Sequence, residues 1–312
     1  MWPTTIVAKT GSEAYVELLG RLYNGKHVSP RGNDTLELLN TTVHIEDGNR
    51  ADTLATSRKI NLGIAAVETL HLLGGLSSLE QLDLASKGRF TQFADNGRLK
   101  GAYGPRAFLQ LHRVHDLLKR DPTTRQAVVT LWVGKEHESS SRDVPCTQSL
   151  QFLVRDGKLH LRVQMRSSDA FLGIPYDWLM FSRLLMVMAR SLRLPVGSFT
   201  HTAASQHLYL RDREASIKVI KDEVWHEDRL KVPALLTPDS FVSATALARM
   251  IAMSGRDAIV ERWHDAVDFG WYFDHVPLVT DVKLCRACRY VLPLDQMRDG
   301  VTCTMCAVEQ VR

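Results

Sequence analysis

The chain has no apolar run long enough to cross a bilayer. Its first residues, Met1-Trp2-Pro3-Thr4-Thr5, lack the charged region and the apolar core of a secretion signal. Together these absences lead us to expect a cytoplasmic protein, in the host cytoplasm if the source is viral. Excess charge is scarce as well: the net charge is +4 over 312 residues. That suits an anionic small substrate and is too weak to argue for nucleic-acid binding by itself. No internal repeat and no low-complexity segment interrupts the chain. Cysteine is rare and unevenly placed. Cys146 stands alone, while Cys285, Cys288, Cys303 and Cys306 form C-x2-C, fourteen residues, C-x2-C. With no secretion signal, that pattern reads as a zinc site rather than as disulfides. The composition of the whole chain, 45% hydrophobic and 24% charged, is ordinary for a globular protein. The length allows one large domain, or one domain with a small appendage.

The hydrophobic pattern predicts helices over Ser12 to Asn24, Asn61 to Leu73, Arg106 to Leu118 and Pro175 to Leu192. Two more are predicted over Ser240 to Met253 and Asp257 to Val267. Strands are predicted over Thr35 to Ile45, Gln126 to Val133 and Ser198 to Leu210. Ser149 to Val154 and Lys158 to Gln164 read as a hairpin around Asp156-Gly157. A boundary falls near Val276 to Lys283, dividing a domain over 1–280 from a four-cysteine module over 281–312.

Three segments carry chemistry. Pro145-Cys146 supplies a thiol, and a thiolate is a soft nucleophile. The run Arg166-Ser167-Ser168-Asp169-Ala170-Phe171-Leu172-Gly173-Ile174-Pro175-Tyr176-Asp177 follows, and then Gln206-His207-Leu208-Tyr209. His207 and Tyr209, two apart on a strand, point the same way. In addition, Glu68 interrupts an apolar helix, where a carboxylate is costly unless paired or functional. In order and spacing, the three segments resemble the active site of the thymidylate synthase family. The resemblance covers roughly Ser12 to Leu210.

That resemblance implies an α/β (α+β) fold: a large, mostly antiparallel sheet flanked by helices. It makes Cys146 the nucleophile that adds to C6 of a pyrimidine nucleotide. Arg31, Arg166, Ser167 and a partner's Arg125 would hold the phosphate, so a homodimer is implied. Where the family usually has a second arginine, this chain has Gln126. His207 and Tyr209 would hold the sugar 3′-hydroxyl. Glu68 would organise water and proton transfers, and Tyr103 would assist removal of the C5 proton. Asp169, with Phe90 and Phe93, would contact the co-substrate 5,10-methylenetetrahydrofolate.

The departures from the family are as informative as the matches. The family usually carries asparagine where this chain has Asp177. An asparagine amide satisfies the N3–H and O4 of uracil, whereas a carboxyl suits the N3 and N4 amino group of cytosine. Asp177 therefore argues for a cytosine nucleotide, dCMP or CMP, and resembles the deoxycytidylate hydroxymethylase branch. Phe90 and Phe93 stand where the family has tryptophans, Thr147 replaces a histidine, and a cysteine-rich extension replaces the usual capping C-terminus. Looser folate retention and wetter surroundings favour capture of the C5 methylene by water. The expected reaction is 5-hydroxymethyl transfer. A methyl-forming synthase on dUMP or dCMP, or a non-catalytic nucleotide-binding protein, remains as the alternative. The cysteines are read as ligands of one structural zinc in a zinc-ribbon-like module. Docking of nucleic acid or protein through that module is left open.

Overall fold

The computed structural model describes residues 3–53, 57–134, 136 and 140–221. It adds Phe241, Ala244, Thr245 and Ala248, and the backbone of 282–284 and 291–293. The chain divides into two compact units. One comprises Met1–Ile60, Val114–Trp132 and Cys146–Ala234; the other comprises Asn61–Arg113, Val133–Pro145 and Leu235–Arg312.

The first unit is built on a seven-stranded sheet of β1 (Thr4–Ala8), β2 (Lys26–Val28), β3 (Thr35–Ile45), β4 (Val128–Thr130), β5 (Thr147–Arg155), β6 (Lys158–Asp169) and β7 (Val196–Tyr209). The order is β1-β3-β7-β6-β5-β4, and β2 shares an edge of β3 with β1. The sheet is mixed: β1–β3 and β6–β7 are parallel, the other pairings antiparallel. Four of the six pairings are antiparallel, in keeping with the expectation; β6–β7 is parallel because helix α5 (Ile174–Ser191) connects the two strands and a helical crossover returns the chain parallel. Pro175 lies in the first turn of α5, where its missing N–H costs nothing. Helix α1 (Gly11–Leu22) begins with a full capping box, Thr10 accepting from Glu13 and Glu13 reaching back. β4 is shorter than the predicted Gln126 to Val133, since the Leu131 and Trp132 N–H groups both turn to the Gln148 carbonyl.

A break in the side-chain alternation runs across this sheet. In β7 the buried positions are Phe199, His201 and Ala203, then Gln206 and Leu208. In β6 they are Leu161, Val163 and Met165, then Ser168. In β3, read backwards, they are Ile45, Val43 and Thr41, then Leu38. The three-residue step falls at matched positions, because Met165 and Thr41 both pair with Ala203, and Ser168 and Leu38 both pair with Gln206. Asn40 adopts a left-handed φ of 54° at the break. β5 has its own register shift between Thr147 and Ser149. Beyond this line the residues that strict alternation would bury, Ser167, Asp169, Ser205, His207 and Tyr209, are only half-buried.

Under the sheet, Arg183 of α5 donates to Asp52 at 2.9 Å, with side chains 4% and 8% exposed. A buried pair is a weak net stabiliser, but removing one partner strands a charge. Asp52→Ala is expected to destabilise the protein by roughly 3–5 kcal/mol, read as a lowered urea midpoint. A loss under 1 kcal/mol would mean that water reaches Arg183.

The second unit contains α2 (Leu62–Gly74), α3 (Leu79–Ser86) and the first part of α4 (Tyr103–Arg120). Asn61 caps α2, and Gly75 closes it at φ 67°, where a Cβ would strike the Phe108 ring at 2.4 Å. His71 donates to or accepts from Gln81 at 2.9 Å, and burial lowers its pKa to about 4. α4 starts three residues before the predicted Arg106, so Tyr103 is its first residue and Pro105 sits harmlessly in the first turn. Phe241, Ala244, Thr245 and Ala248 are helical and buried at i, i+3, i+4, i+7 spacing. Phe241 meets the His112 ring edge-on at 5.2 Å. The rest of the predicted Ser240–Met253 helix and all of Asp257–Val267 lie outside the described residues. So do Cys285, Cys288, Cys303 and Cys306; of that region an antiparallel pair, Val282–Leu284 with Val291–Pro293, is described.

Candidate active site

In the first unit, the ends of β5, β6 and β7 and the start of α5 converge. Cys146 immediately precedes β5 and is half-buried. Its carbonyl accepts from the Arg166 N–H at 2.9 Å, which locks it beside β6. The Arg166 side chain then reaches the thiol, Nη2 donating to Sγ at 3.8 Å. A cation so placed favours thiolate over thiol. Arg166 also lies against the Trp132 ring, 5.5 Å from its centroid.

Asp169 ends β6 and organises the turn into α5. Its Oδ1 accepts from the Phe171 and Leu172 N–H groups at 2.8 and 2.9 Å. Oδ2 takes no hydrogen bond among the described residues. Asp169 lies opposite His207 in the parallel β6–β7 ladder. Gly173 separates it from Asp177: a Cβ there would lie 2.9 Å from the Asp169 carbonyl and 3.4 Å from Asp177 Oδ2. Asp177 occupies the first turn of α5. A helix N-terminus ordinarily stabilises a carboxylate. Here burial outweighs it, and with the nearby charge of Asp169 raises the Asp177 pKa from 3.8 to about 7. The carboxyl takes no hydrogen bond or ion pair among the described residues.

This shift fixes the sign of a pH effect on stability. The folded pKa lies above the ordinary value, so the folded state holds the proton more tightly. The resulting stabilisation is complete below about 3.8 and is lost as pH rises through about 7. Wild type is therefore expected to lose stability relative to Asp177→Asn between pH 5 and pH 8 in urea melts. A pH-independent difference would contradict the shift.

His207 and Tyr209 share one face of β7, their rings 5.2 Å apart at 88°. Burial lowers the His207 pKa against the opposing pull of Asp169 and Glu37. Near pH 7 the ring is therefore neutral, with one N–H donor and one lone pair to offer a hydroxyl. Arg211 stacks over Tyr209 at 4.0 Å. Arg31, in the 3-10 turn Pro30–Gly32, and Arg125, in a loop, are exposed in the same unit. Arg31 holds φ 52° beside Gly32 at 77°. Strained backbone of this kind persists where the surroundings enforce it.

The structure thus brings Cys146 and Arg166 together, Asp169 with Asp177, and His207 with Tyr209. Glu68, Phe90, Phe93 and Tyr103 belong to the second unit. Glu68 is half-buried in α2 between buried Val67 and Thr69. Phe93 is 45% exposed. Its turn is pinned by Asp83, which accepts from the Phe90 and Thr91 N–H groups. Gly101, two residues before Tyr103, donates to Asp143 at 2.7 Å. A Cβ on Gly101 would lie 2.8 Å from that carboxyl. The sequence reading missed Trp132, Arg58 and Asp212. Arg58 donates to the Phe171 carbonyl at 3.3 Å and lies 4.5 Å from the Phe171 ring centroid. Burial and Asp169 raise the Asp212 pKa. Trp132, at the end of a predicted strand, was the one of the three with a visible signal.

A family model described as thymidylate synthase matches residues 13–246. A protein of Bacillus phage SP01 named deoxyuridylate hydroxymethyltransferase is 31% identical over 226 residues. That stretch is 66% of this chain and 59% of the phage protein's length. Among the described residues no helix is long and apolar enough to cross a membrane, and no cluster of His, Cys, Asp or Glu could hold a metal.

Proposed function

The chain belongs to the thymidylate synthase family, and from that membership we propose a folate-dependent 5-hydroxymethyltransferase acting on dCMP or CMP. The observation that carries the choice of base is the buried Asp177 carboxyl, unpaired among the described residues, which holds its proton up to about pH 7. A protonated carboxyl donates to cytosine N3 and accepts from the N4 amino group, so both polar edges of the base are satisfied. Uracil N3 already carries a proton, so only cytosine can share the carboxyl proton through N3 while its amino group donates to the other oxygen.

The proposed roles are those that family membership implies. Arg166, with Arg31, Ser167 and the Arg125 of a second copy, holds the phosphate; the fork of arginine suits that work. Neutral His207 and Tyr209 hold the sugar. The Asp169 Oδ2 is an open acceptor for N–H groups of the pterin, and exposed Phe93 with Phe90 offers apolar surface. The folate supplies the one-carbon unit. Cys146 Sγ bonds to C6 and makes C5 nucleophilic, and C5 takes up the one-carbon unit. Tyr103, with Glu68 and water, removes the C5 proton as the carbon–nitrogen bond to the folate breaks, which frees tetrahydrofolate and leaves an exocyclic methylene on C5. Water then adds to the exocyclic methylene, the Sγ–C6 bond breaks, and 5-hydroxymethyl nucleotide and tetrahydrofolate leave.

The name of the phage relative supports hydroxymethyl over methyl as outcome, and it also favours a second reading in which dUMP is the substrate. Product mass decides. Incubation with methylenetetrahydrofolate and dCMP, CMP or dUMP is expected to add CH2O to a cytosine nucleotide without forming dihydrofolate. Gain of CH2 with dihydrofolate would make the protein a methyl-forming synthase. Gain of CH2O on dUMP alone would overturn the reading of Asp177.

The C-x2-C pairs at 285–288 and 303–306 fit four thiolates around one structural zinc, in a module over 281–312. One zinc per chain is expected by elemental analysis, with loss in Cys288→Ser. A metal-free wild type purified without chelator would refute it.

A further inference from the structure

We propose that Trp132 is a positioning residue that keeps the Arg166 guanidinium aimed at the Cys146 thiol. The inference rests on Cys146 being the nucleophile. Arg166 has a long, flexible stem and two duties, phosphate and thiol, and nothing in its strand position alone points Nη2 at sulfur. Its backbone N–H is tied to the Cys146 carbonyl at 2.9 Å, which brings the two residues abreast. The indole adds a constraint on the guanidinium itself. The guanidinium carbon lies 5.5 Å from the Trp132 ring centroid, within the range where the negative face of the ring attracts a cation. In that pose Nη2 donates to Cys146 Sγ at 3.8 Å.

Trp132 is itself held in place. Its N–H and that of Leu131 both donate to the Gln148 carbonyl, at 3.1 and 2.9 Å. Gln148 lies within the register shift that separates Thr147 from Ser149 in β5. The same irregularity that ends the β4 ladder early therefore sets the indole beside the arginine. Thiol, guanidinium and indole form one chain of contacts, two of them anchored by backbone hydrogen bonds.

The test is the rate of Cys146 alkylation by iodoacetamide in the full-length protein, followed by peptide mass spectrometry so that the other cysteines do not confuse the reading. It needs no nucleotide or folate, so its failure is separable from failure of the proposed reaction. Trp132→Leu is expected to slow alkylation at pH 7 roughly 3-fold and to move the midpoint of its pH profile upward. Trp132→Phe, which keeps an aromatic face, should stay close to wild type. In an Arg166→Gln background, Trp132→Leu should have no further effect, since the indole acts through the arginine. Wild-type rates in Trp132→Leu would overturn the proposal. So would an equal loss in Trp132→Phe, or an undiminished Trp132→Leu effect when Arg166 is already gone.

Discussion

Asp177→Asn is expected to exchange cytosine for uracil as the preferred base, changing the ratio of kcat/KM for dCMP over dUMP by about 100- to 1,000-fold. The physical reason is the number of hydrogen-bonding partners that change together. A protonated carboxyl offers one donor and one acceptor that match N3 and N4 of cytosine. An amide sets its N–H at O4 and its oxygen at N3–H of uracil, and unlike a carboxyl it has no proton to share with the basic N3 of cytosine. The surroundings of Asp177 enforce the choice, because burial keeps its proton to about pH 7 and no described neighbour competes for the carboxyl. Wild-type kcat/KM for the cytosine nucleotide should accordingly fall on the alkaline side, with a midpoint near that pKa. The limb should be absent from Asp177→Asn. Steady-state kinetics of both proteins on both nucleotides from pH 5.5 to 9 provide the check. An unchanged preference would remove Asp177 from base recognition.

Cys146→Ala should cost the most activity of any single change, a fall in kcat of about 10,000-fold or more. Without the Sγ–C6 bond, C5 of the pyrimidine is not nucleophilic, and no other described side chain beside Arg166 can substitute. Folding should be nearly unaffected, since the residue is half-buried and its neighbours are held by backbone hydrogen bonds. Nucleotide binding by calorimetry should stay within a few-fold, because phosphate, sugar and base contacts come from other residues. Residual turnover within 10-fold of wild type would rule out covalent catalysis and favour a binding role for the chain.

The long elements were readable because their signals are local. Thr35–Ile45 alternates, Asn61 caps an apolar run, and Pro175 opens one. The motif run from Arg166 to Asp177 was readable because its chemistry lies in residue types at fixed spacing. β1, β2, α3 and α6 (Arg213–Lys221) were not read at all. They are five, three, eight and nine residues long, too short for a period to declare itself. Trp132 illustrates a different limit: its partner Arg166 lies 34 positions away in the numbering, and no local pattern marks the pair.

Residue identity alone offered a thiol, four phosphate-binding candidates, and a carboxyl where its family carries an amide, because those groups have the same chemistry wherever they sit. Strand pairing decided the rest. The break shared by β3, β6 and β7 exists only when Thr41, Met165 and Ala203 lie side by side. It leaves Asp169, His207 and Tyr209 half-buried rather than fully buried. Burial of Asp177 is likewise a property of packing around α5. It converts an ordinary aspartate into an acid that keeps its proton near neutrality, since a low-dielectric surrounding penalises the charged form whatever the neighbouring letters in the chain.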